Sequence, residues 1–187
     1  MKTNSVVGVR RQKPASPEPA LHASTHFPTD LRAWIEHSAL LRATQTIAQE
    51  ADIAMLHPKF SNWASKYQDP WRMLTLVAFA YAIGLSEDRR IAAIAATRPE
   101  IRELFHGEAP STDAIRHFCD RNRHAISSCL GKVILEVWCH WHTRPPTTLH
   151  PVLIVDILCE ARARVQRACT RSAASEPECF ASSLSGR

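Results

Sequence analysis

The stretch from Gly107 to Arg123 reads GEAPSTDAIRHFCDRNR and places Arg116, His117, Arg121 and Arg123, with His124 next in line, just behind a marked helix start. Guanidinium and imidazolium groups at this density can neutralise phosphate through charge-assisted hydrogen bonds. An exposed helix face often carries the same residue types with no partner at all, so the pattern also reads as a solvated surface. Arg89 and Arg90, at the start of the preceding helix, and Lys132, farther along the chain, complete the cationic set.

Two other groups of residues could do chemistry. Cys139, His140 and His142 raise zinc, since Cys139 and His142 share one helix face. A structural zinc site takes four ligands, commonly in two pairs, and no second pair stands at a recognisable spacing. Packing at the end of a bundle is the expected role, and neither metal nor other cofactor is expected. VLIVD, Val152 to Asp156, has the look of a strand ending in a catalytic acid. The following CEARARVQRAC continues at helical spacing, which makes Asp156 and Glu160 a helix-surface pair. Two-metal chemistry needs further carboxylates, so no catalytic residue is expected.

Gly-rich phosphate loops, nucleophile elbows and Ser/His/Asp sets are absent from the sequence. Cys119, Cys129, Cys139, Cys159, Cys169 and Cys179 recur every ten residues. Ten residues turn an α-helix by about 280°, so neighbours do not share a face and the ladder is coincidence. Free thiols, mostly buried, are expected. Trp34, Trp63, Trp71, Trp138 and Trp141 are spaced for core and helix-end packing rather than for stacking on bases.

The elements that must position these residues are helical. Asp30 caps a helix with Leu31, Trp34, Ile35, Ser38 and Leu41 at helical spacing, and a second stretch runs from about Thr46 to Leu56. Phe60 and Trp63 follow in a connector. Asp69 as N-cap with Pro70 at the first position opens a helix that is apolar on all sides from Met73 to Ile83, the mark of a central buried element. Gly84 ends it as a left-handed cap. Ser86 caps the next helix. Pro99 stops that helix and opens a short one, ended by Gly107.

Ser111 or Thr112 then caps a long helix reaching Trp141, bent at Gly131. Its apolar side is Ile115, Phe118, Cys119, Ile126, Cys129, Leu130, Val133 and Val137. His117, Asp120, Arg121, His124 and Ser128 point the opposite way, with Arg116 and Arg123 on one flank. Pro151 opens a last helix to about Cys169, with Val152, Val155, Leu158 and Val165 in register. The expected fold is all-α: a compact bundle of about six helices, with a loose helix-turn-helix-like segment and disordered termini. Residues 1–28 form a disordered basic leader, 29–170 the helical domain and 171–187 a disordered tail.

The chain has 187 residues and a net charge of +5, which permits a polyanionic partner without requiring one. The excess is local: Lys2, Arg10, Arg11 and Lys13 face one acid, Glu18, in the leader. The first 26 residues lack the apolar core of a signal peptide. The longest apolar run is well short of the ~20 residues a membrane helix needs. A soluble, cytoplasmic protein with no membrane partner is expected, associated with the nucleoid if it binds DNA.

YQDPWRMLTLVAFAYAIGLSEDRRIAAIA, followed by LFHGEAPSTDAIRHF, resembles the N-terminal domain of bacterial insertion-sequence transposases of the DDE class. Pro70, Leu74, Tyr81, Gly84, Ser86, Arg89, Ile91, Gly107, Pro110, Ile115 and Phe118 fit that family's pattern in order, and the resemblance covers residues 30–140. Ala114 and Cys119 depart from it, standing where Thr and a basic residue are usual. In the family this domain precedes an RNase H-like domain with three metal-binding carboxylates. The segment after Trp141 is too short for one, which implies a protein that does not cut DNA.

The resemblance thus implies a non-enzymatic DNA-binding domain that takes double-stranded DNA, such as the terminal inverted repeats of an element. It would contact the DNA through Arg116, His117, Arg121, Arg123, His124, Arg89, Arg90 and Lys132. A homodimer or a partner transposase chain is a further expected association. The alternative is a helical protein–protein interaction module with no nucleic-acid role.

Overall fold

A computed structural model of the chain describes residues 26–51, 56, 69–142 and 150–174. Seven α-helices, and no strand, occur among them: α1 (His37–Gln49), α2 (Pro70–Ala82), α3 (Asp88–Thr97), α4 (Pro99–Leu104), α5 (Thr112–Arg121), α6 (Arg123–Trp141) and α7 (Pro151–Ala174). The fold is the expected all-α bundle. Helices α1 and α6 pack on α2, α7 packs mainly on α6, and α3 holds α4 and α5.

The centre is α2, whose start follows from its sequence. The Asp69 carboxylate accepts the Trp71 N–H at 3.0 Å, and Pro70 occupies the first turn, where a missing N–H costs nothing. Every residue from Met73 to Ile83 is buried. Burial of Leu74, Leu76 or Phe79 stabilises by about 1.5–3 kcal/mol each, against about 1 kcal/mol for a cap. Tertiary packing therefore holds this helix, and the cap only fixes where it begins. It ends at Gly84 (φ +78°), with the Leu85 N–H donating to Ala80 O at 2.8 Å and the Gly84 N–H to Tyr81 O at 3.2 Å. These two bonds are the Schellman pattern.

Several sequence expectations are corrected. Asp30 does cap, accepting the Arg32 N–H at 2.9 Å, but what it caps is the 3-10 turn Leu31–Ala33, and α1 starts only at His37. Helix α1 then runs on to Gln49, across the expected gap between two helices. The rest of the expected 46–56 helix, and the connector with Phe60 and Trp63, lie largely outside the described residues. The N-cap of α3 is Glu87, one residue after the predicted Ser86. Helix α7 continues to Ala174, past the expected end. The remainder of the 171–187 tail and nearly all of the 1–28 leader lie outside the described residues.

The long helix predicted through Trp141 is two helices. The break is at Asn122, not at Gly131. Asn122 is 2% exposed, and its amide donates to Phe118 O at 2.9 Å. An Asn side chain that takes a backbone carbonyl competes with the helix ladder, and the Asn122 backbone leaves helical geometry (φ −117°, ψ 24°). Gly131 instead lies inside continuous α6, where the absent side chain lets α7 approach. A Cβ there would stand 3.4 Å from Leu158 Cδ2 and 3.8 Å from Ala161 Cβ.

The buried face of α7 also differs from the expected one. Leu153, Ile157, Ala161, Arg164, Val165 and Ala168 are buried, while Val152, Val155 and Leu158 are exposed. Residues 152–158 are apolar almost all round, so their spacing alone does not choose a side. Farther along, small Ala161 and Ala168 permit close packing and Arg164 finds acceptors beneath the helix. Its Nε donates to Glu160 at 2.7 Å, Nη1 to the carbonyls of Thr29 (3.2 Å), Tyr81 (3.4 Å) and Ala82 (3.2 Å), and Nη2 to that of Pro28. One buried guanidinium thus ties the C-terminal carbonyls of α2, which have no partner inside their own helix, to the segment leading into the 3-10 turn.

Candidate nucleic-acid interface

The cationic residues are carried by α3, α5 and α6. Helix α5 starts where the sequence placed it: Ser111 is the N-cap, and its hydroxyl accepts the Ala114 N–H at 3.2 Å. Asp113 stands in the first turn, favourably near the positive end of the helix dipole. Ala114, Ile115, Phe118 and Cys119 are buried, which orients the rest of the helix outward. Beneath it the Tyr81 hydroxyl donates to Cys119 Sγ at 3.4 Å.

The six arginines and lysines among the predicted contact residues fall into two groups. Three are held by acids. Arg116 reaches across from α5 to Asp88 of α3 at 3.4 Å, and the Asp88 side chain is only 7% exposed, so this pair ties the two helices together. Arg123 pairs with Asp120 at 3.0 Å, both about half exposed. Arg90 stands 4.0 Å from Glu87, also in the open. Exposed pairs of this kind are worth about 0–1 kcal/mol and exchange readily with other partners.

The second group is Arg89, Arg121 and Lys132, which are exposed and make no ion pair among the described residues. His117 and His124 are exposed as well. The break at Asn122 divides the set: Arg116, His117 and Arg121 belong to α5, and Arg123, His124 and Lys132 to α6. His124 and Lys132 are eight residues apart on one face of α6, about 12 Å at 1.5 Å per residue. Asp113 and Asp120 are exposed on α5 together with His117 and Arg121, so this face is of mixed charge.

The other candidate chemistry is not assembled. His142 Nδ1 lies 2.8 Å from Trp138 O, and its ring stacks on Trp138 at 4.0 Å. His140 is exposed. Among the described residues no three His, Cys, Asp or Glu side chains are grouped to hold a metal ion. Burial, with Glu136 nearby, raises the Cys139 thiol, which works against the thiolate a metal would need. Asp156 lies within helical α7 and not on a strand.

Of the five described cysteines, all free, Cys119 and Cys129 are buried, Cys139 and Cys169 half-buried and Cys159 exposed, fewer buried than expected. Burial pushes Cys119 and Cys129 up to about 12, so both stay protonated at neutral pH. Trp34 stacks on Trp141 with ring centres 6.2 Å apart, and Trp71 Nε1 donates to Ala51 O at 3.4 Å, so these rings pack at helix ends. Among the described residues no helix is long and apolar enough to cross a membrane.

Comparison with protein-family models, with curated proteins and with solved structures finds no match to this chain.

Two features lay beyond the sequence reading. Arg164 was hidden because an arginine within a helix ordinarily points to solvent; its one signal is its place in the Ile157, Ala161, Arg164, Ala168 register. His37 was hidden likewise. Its Nε2 is buried without a hydrogen-bond partner among the described residues, and its ring meets Phe79 edge-on at 5.2 Å.

Proposed function

We propose that the protein is a DNA-binding domain that holds double-stranded DNA through the α5–α6 face without cleaving it. The observation that carries the reading is the set of exposed cations Arg89, Arg121 and Lys132, unpaired among the described residues, with His117 and His124 exposed as well. Arg90 and Arg123, in weak exposed pairs, can turn to phosphate at small cost, whereas Arg116 is held by Asp88 and positions α5 against α3. Resemblance of residues 30–140 to transposase N-terminal domains supports the same reading and suggests element ends as the target. A capped helix carrying Arg121 beside a second helix carrying His124 and Lys132 suits binding to the phosphate backbone, which positions a protein without reading sequence.

A second reading rests on a different observation. Val152, Ile154, Val155 and Leu158 of α7 and Trp141 of α6 are large apolar side chains left 40–56% exposed. Exposed apolar surface marks protein-binding faces where it is contiguous, and a helical module that pairs with a protein would use the α7 side chains.

Salt separates the two. In a fluorescence-anisotropy titration with duplex DNA, phosphate binding weakens steeply between about 50 and 200 mM salt, and that is the expected result. DNA binding that is absent at low salt, with self- or partner association indifferent to salt, would favour the protein-binding reading.

A further inference from the structure

We propose that the cleft between the 3-10 turn, the C-terminal half of α2 and the α3–α4 corner is a binding site for a small organic anion with an apolar body, such as an aromatic carboxylate. The cleft encloses about 270 Å³. This lies just below the ~300–1,000 Å³ typical of small-molecule sites, which fits a ligand of one ring rather than several. Its wall is apolar, formed by Phe79, Ile83 and Ile94 among others, and its polar lining is Arg32, Arg90, Arg98 and His37, with no carboxylate.

These four polar residues differ in availability. Arg32 is engaged by Asp30, at distances of 2.6–3.0 Å. Arg90 has only the long, open approach to Glu87 at 4.0 Å. Arg98 has no partner among the described residues and sits at a rigid corner. Pro99 restricts the residue before it to extended geometry, and Arg98 (φ −88°, ψ 119°) both ends α3 and opens α4. Its guanidinium is therefore presented from a fixed backbone. The fourth group is His37, whose Nε2 is buried without a partner among the described residues.

A carboxylate answers the two guanidiniums left available, Arg98 and Arg90. Its oxygens accept from Arg98, the most available guanidinium, and from Arg90 at the mouth. The ring or short chain of the ligand covers Ile94 and Leu85, the partly exposed apolar side chains of the wall. A handful of convergent polar groups on an apolar wall is the usual make-up of such a site. The site does not depend on the DNA-binding reading, because α1, α2 and the α3–α4 corner build it and it is tested with no nucleic acid present.

The test is an NMR titration of the full chain with benzoate, with benzyl alcohol as the neutral analogue and inorganic phosphate as the head group alone. The readouts are the Ala93 and Ile94 amides and the His37 ring nitrogens. Benzoate is expected to shift all of them saturably. Benzyl alcohol, which lacks the charge, and phosphate, which lacks the apolar body, should each bind about tenfold or more weakly. Arg98→Ala, an exposed change, should weaken benzoate by a similar factor of about ten. Ala93→Trp, which fills the cleft from the exposed side of α3, should abolish binding while the amide spectrum stays folded. Absence of a saturable response to benzoate overturns the proposal. So does benzoate binding unchanged in Arg98→Ala or in Ala93→Trp, and so does binding matched by either analogue.

Discussion

Arg164 on α7 is 5% exposed and reaches Glu160 and the carbonyls of Pro28, Thr29, Tyr81 and Ala82, whereas Arg121 at the end of α5 is exposed and has no partner among the described residues. The two arginines mark two regions built on different terms. Around Arg164 the charge is enclosed, and the fold depends on it. Removing such a group takes the donor from several backbone carbonyls, while Glu160 keeps Arg167 at 3.3 Å. Around Arg121, charge adds little to stability, because water already solvates it. Charge that the fold does not need is what a surface can offer to a partner.

Substitutions can break this comparison, and the largest effect belongs to the enclosed region. Arg164→Ala is expected to lower unfolding stability by about 3 kcal/mol, because more than one backbone carbonyl loses its donor at about 1–3 kcal/mol each. Arg164→Lys should recover only part, since an ammonium cannot fork to so many acceptors. Urea unfolding of the three proteins is the check. A loss under about 0.5 kcal/mol, the range of ordinary surface changes, would mean that Arg164 is not the tie described.

Alkaline pH gives the next effect. Cys119 and Cys129 are raised by burial from 9.0 to about 12, and Tyr81 is raised in the same direction by burial and by Cys119. A folded state that holds its protons more tightly is stabilised below the unfolded pKa. That advantage is lost as pH climbs from about 9 toward 12, amounting to about 1.4 kcal/mol per thiol at pH 10. Urea midpoints at pH 7.5 and pH 10 should therefore differ, and the Cys119→Ala/Cys129→Ala double variant should show a shallower fall. An equal fall in both proteins would contradict the assignment.

Smaller again is Gly84→Ala, expected to cost about 1–2 kcal/mol for the left-handed backbone, with some addition because the new Cβ would meet Thr29 Cγ2 at 3.0 Å. Thermal unfolding measures it, and an unchanged midpoint would show that the turn relaxes freely.

The same contrast explains what the sequence disclosed. The Asp69–Pro70 start of α2, the Gly84 end, the Pro99 corner and the Ser111 cap were legible, because each follows from the chemistry of one or two neighbouring residues. The uniformly apolar run from Met73 to Ile83 announced the core helix in the same way. The break at Asn122 was not legible. Asn is tolerated in helices, and only the buried amide bonded to Phe118 O reveals its role. The buried face of α7 was misjudged because Val152, Val155 and Leu158 match a helical stripe as well as Leu153 and Ile157 do; Arg164 and the α6 surface around Gly131 make the choice. Of the candidate site, the residue types and their helices could be read from sequence. Which cations are held by acids could not, since Asp88 lies twenty-eight positions from Arg116 and meets it only through the packing of α3 on α5.

That division of the cations supplies the most direct test of the proposed function. Two variants are compared in duplex-DNA titrations at about 50 and 200 mM salt, conditions that expose counterion release. One carries Arg89→Ala, Arg121→Ala and Lys132→Ala, which removes the unpaired set. The other carries Arg116→Ala alone, which removes a cation already held by Asp88. Each cation that no longer meets a phosphate should lower the salt slope by about one unit, so the first variant is expected to bind more weakly, with a slope smaller by as much as about three units, while its helix content holds. The second is expected to keep nearly the full slope. Equal affinity of wild type and the triple variant at both salts would contradict the account, because the exposed cations of α3, α5 and α6 would then be only a solvated face.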